Sequence, residues 1–142
     1  MRSPSLLFVL MLAGCAATSS EGPNTAGGGA GMSDAPVIAG QWSIRTIDGR
    51  QLEGEQPAMI AFADGRVSGT TGCNRISGTY EIDGNVVTIG PLATTRMACP
   101  PPLMARETAL LAALTGPLTA ATGAGGGVTL TAGTGTAIGL AR

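Results

Sequence analysis

The sequence predicts an α+β fold: a small antiparallel β-sheet that curls toward a partly closed barrel, with one α-helix packed across it. Short apolar runs separated by Asp-Gly turns occupy much of residues 41–89, and this is the pattern of β-hairpins. Residues 103–114 place apolar side chains at helical spacing, and further strand-like segments follow. The order of strands, one helix and then strands is typical of α+β domains.

The first 14 residues predict a signal peptide. Arg2 supplies a positive charge near the start, and the apolar run 6–13 is too short to span a bilayer. The motif LAGC that ends at Cys15 resembles the lipobox of bacterial lipoproteins, which implies cleavage before Cys15 and acylation of that cysteine. The alternative is an ordinary secretory signal with an incidental cysteine.

Residues 15–36 predict a flexible tether that begins at the lipidated Cys15. They are rich in Gly, Ala, Ser and Thr, and such a segment buries too little apolar surface to offset the entropy of ordering it. Ala16 and Ala17 follow the cysteine with no Asp, and by resemblance to lipoprotein sorting this favours the outer membrane. We therefore expect an exported, lipid-anchored protein on the periplasmic side of that membrane. A host with a single membrane is the alternative.

The composition limits the class of function. Eight arginines are balanced by nine acidic residues, and the sequence contains neither lysine nor histidine. A balanced charge gives no basic face for nucleic acid. Without histidine there is no Ser-His pair for nucleophilic catalysis, and the carboxylates form no acid–base constellation. We expect neither an enzyme nor a nucleic-acid-binding protein, and we expect a monomer without a cofactor.

The folded domain is expected at residues 37–142, and its first strands precede Cys73. Residues 41–47 alternate apolar and polar side chains, as a half-buried strand does. The apolar run 58–63 and residues 66–71 flank an Asp-Gly pair, so we interpret them as a hairpin.

The central hairpin lies between Cys73 and Cys99. Two strand-like runs, 76–82 and 86–89, flank the sequence Asp-Gly-Asn, and Asp-Gly is a strong hairpin signal because the turn needs positive φ. In an exported chain, an even pair of cysteines outside the two ends of such a hairpin predicts a disulfide. The chain-entropy model gives a bridge of this span about 3.5 kcal/mol of stabilisation.

A redox-active pair and a metal site are the alternatives for Cys73 and Cys99. The two cysteines form no CxxC motif, and no flanking base is present to activate a thiol. Two thiolates without histidine make a poor zinc site. We therefore expect a structural disulfide and no bound metal.

After Cys99 the apolar period changes to that of a helix. The leucines that form one helical stripe are Leu103, Leu110, Leu111 and Leu114. The preceding prolines are tolerated in a first turn, Glu107 lies toward the positive end, and the Gly-Pro pair at 116–117 ends the helix. Residues 118–142 alternate weakly, and we interpret them as two short strands around a Gly-Thr-Gly turn.

Residues 72–114 resemble the signature of the META domain, the HslJ-like family of bacterial envelope proteins. The matching segments are GCN at 72–74, SGTY at 77–80, LA at 92–93 and TRMAC at 95–99, with Trp42 in the first strand. The resemblance covers residues 40–142. It implies a compact α+β or barrel-like fold and an association with heat shock, envelope stress and resistance to some antibiotics. No established enzymatic activity comes with it.

Asn74, Arg75 and Arg96 are the candidate binding residues. A disulfide would bring them close together, and two guanidinium groups beside an amide can bind a carboxylate or a phosphate. The alternative is that each arginine pairs with a local carboxylate, such as Glu81 or Asp83, and that Asn74 satisfies the backbone of a turn.

We expect a membrane-tethered, non-catalytic protein that acts in heat shock, envelope stress or antibiotic tolerance by binding an envelope component. One alternative is an inhibitor of an exported hydrolase, which a protruding ordered loop at 74–75 or 94–97 would favour. Another is a carrier of a small apolar ligand, which needs a cavity inside the sheet. A filled core with Trp42 at its centre would count against the carrier.

Overall fold

The computed structural model describes residues 36–52 and 54–142, so the predicted signal peptide, Cys15 and the tether up to residue 35 lie outside the described residues. The elements in chain order are β1 (Gly40–Ile47), β2 (Arg50–Gln51), β3 (Ala58–Ala63), β4 (Arg66–Thr70), β5 (Arg75–Asp83), β6 (Val86–Ile89), β7 (Ala93–Thr94), α1 (Pro101–Ala113), β8 (Gly116–Thr122), β9 (Val128–Ala132) and β10 (Ala137–Ala141). A 3-10 turn, Ala124–Gly126, precedes β9.

Eight strands form a closed antiparallel barrel. They are ordered β1-β3-β4-β5-β6-β8-β9-β10, and β10 pairs back onto β1 with Ile44 opposite Leu140. The short strands β2 and β7 pair with β1 and β5 respectively. The predicted antiparallel α+β fold is confirmed, and the sheet closes completely. Closure removes the unpaired edges that an open sheet of this size would expose.

Alternate residues of each strand fill the barrel interior. The interior includes Trp42, Ile44, Ile60, Phe62, Val67, Ile76, Val87, Ile89, Leu118, Leu130, Ile138 and Leu140, all of them buried. The indole Nε1 of Trp42 donates a hydrogen bond to the carbonyl oxygen of Ile38 at 2.7 Å, so its polar atom is satisfied inside the core. The rings of Phe62 and Tyr80 meet edge to face with centroids 5.1 Å apart.

Two Asp-Gly turns adopt the conformation that the sequence predicts. The φ angles are 50° and 73° at Asp48 and Gly49, and 49° and 71° at Asp64 and Gly65. Positive φ at both central residues is the turn geometry that matches the twist of a two-residue hairpin. The hairpins β1–β2 and β3–β4 therefore have their register set by local sequence.

Helix α1 lies across one end of the barrel. Arg106 donates a hydrogen bond from Nη2 to the carbonyl oxygen of Gln56, just before β3, at 3.0 Å. Glu107 accepts one from Asn74, just before β5. These loops belong to the same end of the antiparallel barrel. The helix residues that enter the core are Leu110, Ala113 and the adjoining Leu114.

The helix differs from its prediction in the place of Glu107. This residue lies in the middle of α1, whose first turn contains no acidic side chain, and it is 6% exposed. Leu103 and Leu111 are only half-buried. The buried face therefore has a carboxylate at its centre, and the prediction that Glu107 lies near the positive end of the helix was wrong.

Strand β8 was not predicted, because it begins at the Gly-Pro pair that ends the helix. Pro117 pairs opposite Thr88, and Leu118 and Ala120 point into the core. The predicted strands β9 and β10 are present and pair with each other around the turn at 133–136. No helix in the described part of the chain combines the length and apolar character needed to cross a membrane.

Gly69→Ala is expected to destabilise the barrel. A Cβ at Gly69 would overlap the carbonyl oxygen of Met59 and lie 3.0 Å from the Cα of Ile60, so two paired strands would have to separate. We expect the free energy of unfolding to fall by roughly 2–3 kcal/mol, measured by urea denaturation. Gly133→Ala is the control, because nothing lies within 4 Å of its Cβ position. Equal stability of the two variants would contradict this prediction.

Candidate functional site

A disulfide joins Cys73 and Cys99, as the sequence predicts, with the two Cα atoms 6.1 Å apart. Cys73 lies in the loop between β4 and β5, and Cys99 lies just before α1. Strand β7 pairs with the first residues of β5, so it returns the chain to the open end of the central hairpin. The bridge therefore ties this end of the hairpin to the start of the helix.

A buried polar network lies beside the disulfide. Thr71, Asn74 and Glu107 are 1%, 1% and 6% exposed. The hydroxyl of Thr71 donates to Glu107 Oε2 at 2.7 Å, and Asn74 Nδ2 donates to Glu107 Oε1 at 3.0 Å. Each carboxylate oxygen thus has a donor, as a buried charge requires.

The side-chain oxygen of Asn74 contacts a surface loop. Its Oδ1 accepts hydrogen bonds from the backbone amide of Met97 at 2.7 Å and from the hydroxyl of Thr95 at 2.9 Å. Sequence alone proposed Asn74 as a binding residue, and the structure instead buries its side chain between the helix and this loop. Asn74 is therefore a positioning residue for residues 95–98, the 95–98 loop.

The 95–98 loop is exposed and held at both ends. Thr95 is fixed to β5 by two hydrogen bonds with the backbone of Arg75, at 3.0 and 3.1 Å, and Cys99 is fixed by the disulfide. Between them, Arg96 is exposed and Met97 is 59% exposed. Met97 is therefore the large apolar side chain that this loop presents to solvent.

Arg75 and Arg96 both lie on the surface. Neither guanidinium forms an ion pair with a described carboxylate. The alternative pairing with Glu81 or Asp83 is therefore not observed among the described residues. The two arginines are available to a ligand.

A groove lies on the outer face of the barrel next to this loop. Its floor is a row of small side chains that the strand register places side by side: Ala61, Ser68, Ser77 and Ala93. Beside this floor row runs a row of larger ones, the wall row: Met59, Thr70, Arg75 and Thr95. The height difference between the two rows forms a cleft of about 770 Å³, with Gln41 at its β1 end.

Arg106 anchors the loops beneath the helix. Its guanidinium contacts Gly72, where φ is 92°, and a Cβ at that position would lie 2.8 Å from the Arg106 Cζ atom. Glycine is thus required at position 72 both by conformation and by space. Partial burial lowers the pKa of Arg106 from its ordinary value through desolvation.

Sequence reasoning missed Glu107, Thr71 and the groove. The signal for Glu107 was a carboxylate on the same helical face as Leu103, Leu110 and Leu114, spaced by four and three residues. The groove has no local signal, because its floor row comes from four different strands. In the described part of the chain, no group of three His, Cys, Asp or Glu side chains is arranged to hold a metal.

Asn74→Asp is expected to disrupt the network in a pH-dependent way. It places a second carboxyl about 3.0 Å from Glu107 Oε1, and two carboxyls at that distance cannot both be ionised. The variant must take up a proton on folding, so its stability relative to the wild type falls as pH rises above about 4. At pH 7 we expect a loss of at least about 2 kcal/mol.

Urea denaturation at pH 4 and pH 7 measures this effect. Asn85→Asp is the matched control, because Asn85 is exposed in the β5–β6 turn. An Asn74→Asp variant as stable as Asn85→Asp at both pH values would show that the network does not support the fold.

Comparison with known proteins supports the resemblance to the META-domain family. The family model described as META domain matches residues 35–142. None of the curated proteins matches the chain. An NMR structure of a protein from Burkholderia xenovorans is similar over 78% of this chain and 87% of that chain, with 23% identity and a TM-score of 0.66. A second NMR structure covers 72% of this chain and 88% of its own, with 24% identity and a TM-score of 0.59. The two structures share the fold of this chain. The family-model match, which covers residues 35–142, shows that this protein belongs to the META-domain family.

Proposed function

We propose that this META-domain protein is a non-catalytic binding protein of the bacterial envelope, tethered to the outer membrane through Cys15. It acts in heat shock, envelope stress or antibiotic tolerance by binding an envelope component. The observation that supports this proposal best is the open groove beside Arg75, which adjoins the ordered 95–98 loop. Together the groove and the loop form one contact surface.

The chemistry of this surface favours binding over catalysis. The described residues that line the groove provide hydroxyl groups, an amide and the guanidinium of Arg75. These groups form hydrogen bonds, and none of them titrates near neutral pH in the way that a general acid or base does. The buried carboxylate of Glu107 is occupied by its two donors. The surface is therefore suited to recognition.

The 95–98 loop also favours a second candidate, an inhibitor of an exported hydrolase. Its exposed Met97 is held between the anchored Thr95 and the disulfide at Cys99, and an ordered loop loses little entropy when it enters an active site. The carrier of a small apolar ligand has less support, because Trp42 is 2% exposed within the packed core and the groove lies outside the barrel.

Cys15→Ser is expected to release the protein from membranes, because the thiol is the proposed site of lipid attachment and the acyl chains provide the membrane affinity of such a tether. Membrane and soluble fractions of cells that express the full chain would be compared by immunoblot. The control is the double variant Cys73→Ser/Cys99→Ser, which should stay with membranes. A Cys15→Ser protein that still sediments with membranes would refute the lipid tether.

Site-specific photocross-linking tests the contact surface. We expect p-benzoylphenylalanine at Gln41, at the β1 end of the groove, or at Met97 to capture one dominant envelope protein in cells. The same group at Thr119, an exposed residue of β8 outside the groove, should not capture it. Capture of a single hydrolase through Met97, with loss of its activity, would select the inhibitor.

The arginines provide a second comparison in the same cells. Arg75→Ala/Arg96→Ala should abolish the adduct at Gln41, because it removes the two cations of the contact surface. Arg45→Ala/Arg50→Ala, which removes the same charge from exposed residues of β1 and β2 outside the groove, should leave it unchanged. A diffuse set of abundant proteins, captured equally at all three sites, would contradict the proposed function.

A further inference from the structure

We infer that the groove takes an extended peptide segment that carries a carboxylate, and that Arg75 binds this carboxylate. The inference rests on the proposed function, because it names the class of ligand for the same contact surface. Three observations support it: the length of the groove, its charge, and the kinds of side chain that line it.

The length of the groove matches a short extended peptide. The groove crosses β1, β3, β4, β5 and β7, which are four successive strand spacings, or about 19 Å. An extended chain advances about 3.3 Å per residue, so roughly six residues span the groove from Gln41 to Thr95. The floor row of Ala and Ser side chains leaves room for a peptide backbone to approach the sheet.

The charge of the groove selects an anionic segment. Of the described residues that line it, Arg75 is the charged one, and the others are neutral. The Arg75 guanidinium has no ion-pair partner among the described residues. A guanidinium binds a carboxylate with two parallel hydrogen bonds, which gives both strength and direction.

The lining residues favour a peptide over a carbohydrate. Ser68 and Ser77 line the floor of the groove, and their hydroxyl groups can both donate to peptide carbonyls and accept from peptide amides. Sugar rings are usually held by stacking on aromatic side chains, and the described lining residues include none. Strands β3, β4 and β5 are each paired on both sides, so recognition must come from side chains instead of strand addition.

Fluorescence anisotropy with defined peptides tests the inference on the full chain in detergent. The probes are labelled, end-capped six-residue peptides of Ala and Ser with a single Glu at each position in turn, and a second set with Gln in place of Glu. We expect at least one Glu peptide to bind, and its Gln counterpart to bind at least about tenfold more weakly, because charge-assisted hydrogen bonds are lost.

Variants of the chain locate the binding. Arg75→Gln should weaken the Glu peptide about tenfold, whereas Arg50→Gln, at an exposed arginine of β2 outside the groove, should not. Ser77→Trp should abolish binding because it fills the floor. The matched control is Thr119→Trp, an exposed position on β8. Circular dichroism confirms that both tryptophan variants fold.

Four outcomes would overturn the inference. They are equal binding of Glu and Gln peptides, equal effects of Arg75→Gln and Arg50→Gln, binding of none of the peptides, and full displacement of the peptide by millimolar inorganic phosphate. The last would indicate a simple anion site. If peptides fail while the Gln41 photo-adduct persists, the peptide inference falls and the binding function stands. If the adduct is absent as well, both fall.

Discussion

The buried carboxylate of Glu107 is the interaction on which the rest of this structure depends. It accepts hydrogen bonds from Thr71 and Asn74, so it fixes the helix over the loop between β4 and β5. The Oδ1 atom of Asn74 then accepts hydrogen bonds from Met97 and Thr95. An exposed loop is thus ordered through a carboxyl side chain that is itself buried. In a buried network of this kind, loss of one member leaves the others unsatisfied.

Covalent and non-covalent constraints act on the same segment, the 95–98 loop. The disulfide fixes its C-terminal end at Cys99, and Asn74 fixes its middle. A segment held in this way has little conformational entropy left to lose when a partner binds. The groove next to it is equally preformed, because its shape comes from side-chain size and strand register within a closed barrel. The proposed contact surface is therefore preformed.

Local signals in the sequence predicted the local parts of the fold. Asp64 and Gly65 predict a hairpin turn, because its conformation depends on these two adjacent residues. The pair Cys73 and Cys99 predicts a disulfide, because an even pair of cysteines in an exported chain is usually oxidised. Strand β8 was not predicted, because a Gly-Pro pair is typical of the end of a helix. The Ala and Thr residues that follow it show only weak alternation of apolar and polar side chains. The groove escaped prediction because Ala61, Ser68 and Ser77 become neighbours only when three strands adopt their register.

Glu107 escaped prediction for a different reason. A carboxylate in the first half of a helix is usually explained by the helix dipole, and its hydrogen-bond donors come from a loop more than thirty residues earlier. The sequence indicated Arg75 and Arg96 as candidate binding residues because each lies close to a cysteine. Sequence could not show that one of them lines a groove.

The pairing of β1 with β10 has a consequence for biosynthesis. The strand that opens the barrel and the strand that closes it lie at opposite ends of the domain, with Ile44 paired to Leu140. A chain that emerges from a ribosome or a translocon with its N-terminus first cannot complete this ring until the residues of β10 have emerged. Contacts of such sequence separation also form slowly. Closure of the barrel therefore has to follow the synthesis of every other strand of the domain.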